Sequence, residues 1–181
     1  AISLSPNTER DDILLAIKTI FSPWKWFDQK EVQLLEQEFA SMFGIGYKAI
    51  AINSGRSAEY IILKSLGIGN GDEVAIQAFT CVAVPNSVFW TGAKPRYIDI
   101  DESFNMNLED LKKKRNHNMK AIIVQHTFGN PVDLQTFKKF AHTNNLLLIE
   151  DCSHSLGASF DNEHVGSFGA ISFFSLGIDK V

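Results

Sequence analysis

Leu146-Leu147-Leu148-Ile149-Glu150-Asp151 is four apolar residues closed by two acids. So short and unbroken an apolar run reads as a strand buried on both faces, and the acids mark where it leaves the core. Strand-length runs also occur at residues 49–52, 73–77, 96–100, 121–125 and 170–175, beside the one at 146–150. Apolar residues at helical spacing fill the intervals 57–66, 85–91, 108–114 and 134–143, each bounded by Gly, Pro or Asn turns. Strands of this kind with helices between them predict an α/β fold, a mostly parallel sheet flanked by helices.

Upstream the pattern changes. Ile13, Leu14, Ile17, Ile20 and Phe21 recur at helical spacing after Ser5-Pro6, and Val32, Leu35, Phe39 and Met42 give a second helix that Gly44 or Gly46 ends. This predicts an N-terminal helical segment over residues 1–46 and a larger domain over 47–181. Ser22 through Phe27 is an aromatic-rich loop between the two helices. It can pack as a plug or form part of an interface, and packing is the expected reading.

Composition removes whole classes of function. With 181 residues, 45% hydrophobic, the chain can bury a sizeable core, which excludes disorder. Seventeen basic and 21 acidic residues leave a net charge of −4. The cationic run Lys112-Lys113-Lys114-Arg115 reads as the exposed end of a helix, so nucleic acid is not an expected partner. The longest apolar runs fall far short of the ~20 residues a membrane helix needs, so no membrane partner is expected. Cys81 and Cys152 lie far apart and no stretch resembles a secretory leader, which favours a reducing cytoplasm. The five histidines show no helix-face pairing, so no metal is expected.

In parallel sheets, ligands collect beyond the carboxyl ends of the strands. Three loops there carry unusual residues. Asn53-Ser54-Gly55-Arg56-Ser57 is a strand-turn-helix junction whose amides can face an anion, although a Ser-capped turn is the plain alternative. It is neither a P-loop nor a dinucleotide fingerprint. Asp151 can cap a helix or bond a protonated ring nitrogen. Lys180 can be a solvated surface charge or, in a semi-enclosed loop, an imine-forming nucleophile. A phosphate cradle, an acid at a strand end and an amine after a later strand are together the three grips that pyridoxal phosphate needs, for its phosphate, ring nitrogen and aldehyde.

These loops belong to a longer series: Asn53 through Ala58, Leu66 through Val74, Gly92 through Pro95 leading to Asp99-Ile100-Asp101, His126 through Asp133, Ile149-Glu150-Asp151, and Val165 through Gly169. In this order and spacing they resemble the DegT-type aminotransferases, pyridoxal-phosphate enzymes that aminate keto-sugars attached to nucleotides. The resemblance implies the large domain of the aspartate-aminotransferase (type I) fold. It makes Lys180 the Schiff-base lysine, pairs Asp151 with the pyridine nitrogen, and gives the phosphate to Gly55, Arg56, Ser57 and Ser175. His154 stands where the family commonly places Gln near the ring hydroxyl, and Cys81 where many members stack an aromatic ring. Leu176-Gly177-Ile178-Asp179-Lys180 replaces the commoner Pro-x-Lys-Asn form, with the spacing from Ser175 preserved.

The implied activity is amino transfer from a donor such as glutamate to a nucleotide-sugar, by a cytoplasmic homodimer with Trp24 to Phe27 as a candidate contact surface. Because the chain stops one residue after Lys180, the resemblance also implies a truncated large domain, without the small C-terminal domain and too short for full activity. The alternatives are a catalytically inactive binding or regulatory module of the same fold, a related sugar dehydratase, and, on the α/β pattern alone, a nucleotide-binding protein.

Overall fold

The computed structural model describes residues 9–177, so Ser5-Pro6 and Lys180 lie outside the described residues. The strands are β1 (Glu73–Gln77), β2 (Lys94–Ile98), β3 (Met119–Gln125), β4 (Leu147–Asp151), the short pair β5 (Ser159–Phe160) and β6 (Glu163–His164), and β7 (Ile171–Phe173). Five of them form one sheet in the order β2-β1-β3-β4-β7, every neighbouring pair parallel. The helices are α1 (Arg10–Ile20), α2 (Lys30–Ser41), α3 (Gly55–Ser65), α4 (Ala83–Thr91), α5 (Leu108–Lys114) and α6 (Leu134–Thr143).

Alternation along the central strand explains the layers. Ala121 and Ile123 of β3 join one apolar cluster with Leu63 of α3, Val88 of α4 and Ile149 of β4. Ile122 and Val124 join the other, with Leu111 of α5, Leu134 of α6 and Leu148 of β4. Neither face has a polar side to show, which is why β3 and β4 read as unbroken apolar runs.

The helices start where their sequences supply a cap. Ser54 Oγ accepts from Ser57 N–H at 3.1 Å, Asn107 Oδ1 accepts from Glu109 and Asp110 N–H, and Asp133 Oδ1 accepts from Thr136 N–H. α1 starts at a reciprocal pair, with Glu9 N–H donating to Asp12 Oδ2 at 2.9 Å. Chain direction reverses sides at β1, whose successor β2 lies on one flank while β3 lies on the other. In such sheets ligands collect outside the carboxyl ends of the strands that flank this switch, here β1 and β3.

Several expectations are corrected. Residues 49–52 form no strand: nothing in the described sheet pairs with them, and Ala51 N–H is bonded instead to Glu36 Oε1 at 2.8 Å. A strand exists only where a neighbour takes its backbone groups. The run expected at 96–100 lies two residues earlier, because Ile100 leaves the sheet to bridge Met106. The hairpin of β5 and β6 was not expected, and it turns on Asp161 and Asn162, both at positive φ.

The aromatic loop does not plug the core. Trp24, Trp26 and Phe27 are 75%, 58% and 87% exposed, and Trp26 Nε1 donates to the Thr19 carbonyl. The apolar stripe of α1 is likewise exposed, whereas α2 continues into Phe43 and docks Phe39 and Phe43 onto Phe174 at ring separations of 5.0 and 5.6 Å. Among the described residues no helix is long and apolar enough to cross a membrane.

Candidate active site

Glu150 and Asp151 are adjacent, so a strand sends their side chains to opposite faces of the sheet. Both are buried, and they do different things. Asp151, on the α3 side, accepts the Ser153 N–H at Oδ1, 3.0 Å away. A Cβ built on Gly55, the first residue of α3, would stand 4.0 Å from Ser153 Oγ. The start of α3 and the loop after β4 therefore meet, and two of the three expected grips come together at one point. The third, Lys180, lies outside the described residues.

Around that point the expected residues divide. Register pairs Asp151 with Phe173, so half-buried Ser175 leaves the sheet beside the same strand end. Ser57 uses its N–H on Ser54 Oγ, and its own hydroxyl accepts from Ser54 at 2.9 Å. The Arg56 guanidinium lies over the Trp90 ring, 5.8 Å from its centroid, so the side chain points to α4. The N–H groups of Gly55 and Arg56 belong to the first helical turn, which has no carbonyls of its own to serve them. Cys81 is exposed in the loop between β1 and α4. His154 lies flat against Phe128, 5° from parallel with centroids 6.4 Å apart.

Burial pushes the Asp151 carboxyl up from its ordinary value, and hydrogen bonds from the Ser153 hydroxyl and amide, with His154 and His126 nearby, offset part of this. A cation placed against Asp151 would restore its charge, which fits the protonated ring nitrogen of pyridoxal phosphate. The open first turn of α3 fits its phosphate. Cys152 is buried, and burial, with Glu150 and Asp151 beside it, raises its thiol well above the usual range.

Two features went unread in the sequence. Glu59, one turn inside α3, is buried; burial and then the charge of Asp151 push it up to about 9, against a hydrogen bond with Ser87. The signal was there: Glu59 and Leu63 are four apart and so share the inner stripe. On the other face, Glu150 gathers the N–H groups of Gly166, Phe168 and Gly169 at 2.8, 2.8 and 2.6 Å, and His126 Nε2 at 3.3 Å. His126, Glu150 and Cys152 bring ligand-type atoms within 4.8 Å of one another. Glu150 is already saturated by those donors and His126 Nδ1 accepts from Val132 N–H, so this trio works as a structural knot.

The model of the DegT/DnrJ/EryC1/StrS aminotransferase family matches residues 7–180. A GDP-perosamine synthase of Escherichia coli O157:H7 is 35% identical over 153 residues, covering 83% of this chain and 42% of that protein. The X-ray structure of an aminotransferase from Psychrobacter cryohalolentis has a TM-score of 0.89 and 32% identity, covering 99% of this chain and 46% of that one. An E. coli GDP-4-keto-6-deoxy-D-mannose-3-dehydratase with bound hydrated pyridoxal phosphate has a TM-score of 0.88 and 26% identity, covering 99% and 48%. The chain spans less than half the length of these relatives, and its sheet is that of the pyridoxal-phosphate aminotransferase fold. On a match running from residue 7 to residue 180, this chain belongs to the DegT/DnrJ/EryC1/StrS aminotransferase family.

Proposed function

We propose that the chain carries the cofactor-gripping part of a pyridoxal-phosphate-dependent transaminase acting on a nucleotide-linked keto-sugar. The observation that supports this most directly is the approach of Gly55 to Ser153, which sets an anion-binding helix start against the loop of a buried acid. In this reading the amides of Gly55 and Arg56 and the hydroxyls of Ser57 and Ser175 bind the phosphate, and Asp151 holds a proton on the ring nitrogen. His154 bonds the ring hydroxyl and Cys81 borders the ring face. Bound there, pyridoxal phosphate supplies an electron sink for the carbanion left when an amino donor loses its α-proton. Lys180 takes the aldehyde end and serves as base and acid for that proton.

Glutamate as donor, a cytoplasmic setting and a homodimer complete the reading. The exposure of Trp24, Trp26 and Phe27 supports a subunit contact, since aromatic residues are enriched at such surfaces. A second reading, a sugar dehydratase on the same cofactor, draws on the likeness to the mannose-3-dehydratase structure.

Borohydride reduction after addition of pyridoxal phosphate, followed by peptide mass mapping, is expected to fix one pyridoxyl group, on Lys180. A folded chain that carries no adduct, or carries adducts scattered over surface lysines, sinks the cofactor reading. Amination of a nucleotide keto-sugar with glutamate, as against loss of a sugar hydroxyl, separates the two activities.

A further inference from the structure

Four rings stand in a row across the carboxyl ends of the sheet. Phe104 follows β2, Phe79 follows β1, Phe128 follows β3 and His154 follows β4, which is the order of those strands in the sheet. Each ring meets the next. The centroids of Phe104 and Phe79 are 5.7 Å apart, those of Phe79 and Phe128 6.2 Å, and those of Phe128 and His154 6.4 Å. These contacts leave Phe104, Phe79 and Phe128 51%, 45% and 55% exposed.

The row is held in a strained backbone. Phe104 and Phe128 lie in the left-handed region, at φ +62° and +55°, where a bulky residue stays only if its surroundings fix it. Those surroundings are a polar knot of Gln77, Asn105 and Thr127, all buried. Gln77, at the end of β1, donates its two amide protons to the Phe79 carbonyl at 2.7 Å and the Thr127 hydroxyl at 2.9 Å. Thr127 Oγ1 donates to the Phe104 carbonyl at 2.9 Å, and Thr127 N–H donates to Asn105 Oδ1 at 3.0 Å. Asn105 Nδ2 donates to the Asn130 carbonyl at 3.0 Å, so one side chain spans the turn that carries Phe128. Three loops are thus tied together by buried groups while the rings they carry face solvent. Strain kept for exposed rings adds nothing to the core, and such an arrangement is the mark of a binding surface.

Size decides what the row takes. Three half-exposed rings offer roughly 300 Å², since an aromatic side chain covers about 150–250 Å² in full. A stable subunit contact needs about 800 Å² from each partner, whereas a nucleobase stacks on one or two rings. Direction follows from the near end. His154 stands three residues beyond Asp151, where the proposed cofactor ring, and so the sugar to be aminated, would lie. A nucleotide-sugar carries its base a diphosphate away from its sugar, which sends the base toward the far end of the row. We propose that Phe79 and Phe104 form the stacking surface for the base of the nucleotide-linked substrate. This subsite rests on the substrate reading given above and adds to it the side chains that grip the nucleoside.

Saturation-transfer NMR on the 181-residue chain, with guanosine and uridine 5′-diphosphates as probes, tests it. Saturation of the protein is expected to reach the base protons more strongly than the ribose protons. Phe79→Leu and Phe104→Leu keep an apolar side chain and remove the ring face. Each is expected to weaken binding of both diphosphates about five- to tenfold, the lower part of the range for one base–aromatic stack. Phe89→Leu, at an exposed ring of α4 outside the row, is expected to change nothing. Unchanged affinity in both row variants, equal weakening by Phe89→Leu, or transfer confined to the ribose overturns the stacking surface. A wild type that binds neither diphosphate overturns it too. So does a dimer in sedimentation velocity that the two row variants dissociate, because a second copy would then occupy the rings. Borohydride mapping of Lys180 reports the cofactor on its own. A chain that takes the adduct but no diphosphate loses the base subsite alone, and one that binds diphosphate through these rings without an adduct keeps the stacking surface and loses the cofactor reading.

Discussion

His126 and Glu150 meet with Nε2 and Oε2 3.3 Å apart, and neither has any exposure to solvent. Val132 N–H donates to His126 Nδ1, so the ring proton is on Nε2 and points at the carboxylate. Glu150 also takes the N–H groups of Gly166, Phe168 and Gly169, the segment that leads into β7. Glu150→Gln puts an NH2 group against backbone donors and is expected to cost about 3–5 kcal/mol, the range for breaking a buried charged network. Urea midpoints measure it. A loss under about 1 kcal/mol, the worth of a single ordinary hydrogen bond, would mean that Glu150 is not the anchor.

At two glycines the segment held by Glu150 has no room for a side chain. A Cβ on Gly169 would stand 2.8 Å from the Leu148 carbonyl oxygen, a backbone atom that already accepts from Ala170 N–H. At Gly166, where φ is +98°, it would stand 2.6 Å from Phe174 Cζ. Gly169→Ala and Gly166→Ala are each expected to lose about 1–3 kcal/mol. Gly157, at φ +79° with nothing within 4 Å, is the control. Its alanine variant carries backbone strain alone, so thermal melts should rank it closest to the wild type.

The sheet was legible because it is buried on both faces. Ile122 and Ile123 of β3 and Leu148 and Ile149 of β4 have apolar neighbours whichever way they point, so their strands stand out in a bare sequence. Residues 49–52 carry the same signal yet form no strand among the described residues, since an apolar run does not say whether a neighbour will pair with it. β5 and β6, two residues each, are too short to have a period. Asp151 was legible as an acid at a strand end. Glu59 was not, because a glutamate in a helix is ordinarily solvated, and only its spacing from Leu63 puts it inside.

On the outer part of the sheet an ion pair makes stability depend on pH. Arg96 donates to both oxygens of Glu73 at 2.9 and 3.0 Å, joining β2 to β1, and Asn116 adds a third bond at 2.8 Å. The Arg96 hydrogen bond, more than burial opposes it, holds Glu73 below its ordinary value. Its contribution is present above the ordinary glutamate range and is lost as pH falls through the lowered folded value. Arg96 is 42% exposed, so solvent screens the pair and Glu73→Gln is expected to cost only about 0.5–1 kcal/mol at pH 7. Unfolding from pH 7 downward checks this: the two proteins should differ at pH 7 and draw together as the pH falls.

The two thiols should behave as different chemical species. Cys81 is exposed and Cys152 is buried, where burial first and then Glu150 and Asp151 suppress its thiolate. Alkylation of the folded chain at pH 8 is expected to modify Cys81 alone, with Cys152 reacting only as the chain unfolds in urea. If Cys81 borders the ring face, pyridoxal phosphate should slow its alkylation, and Asp151→Asn should weaken that protection about tenfold by removing a charge-assisted bond. Peptide mass mapping over time reads both residues in one experiment. Protection that survives Asp151→Asn undiminished would detach Asp151 from the ring nitrogen, and rapid labelling of Cys152 in the folded chain would contradict its place beneath the sheet end.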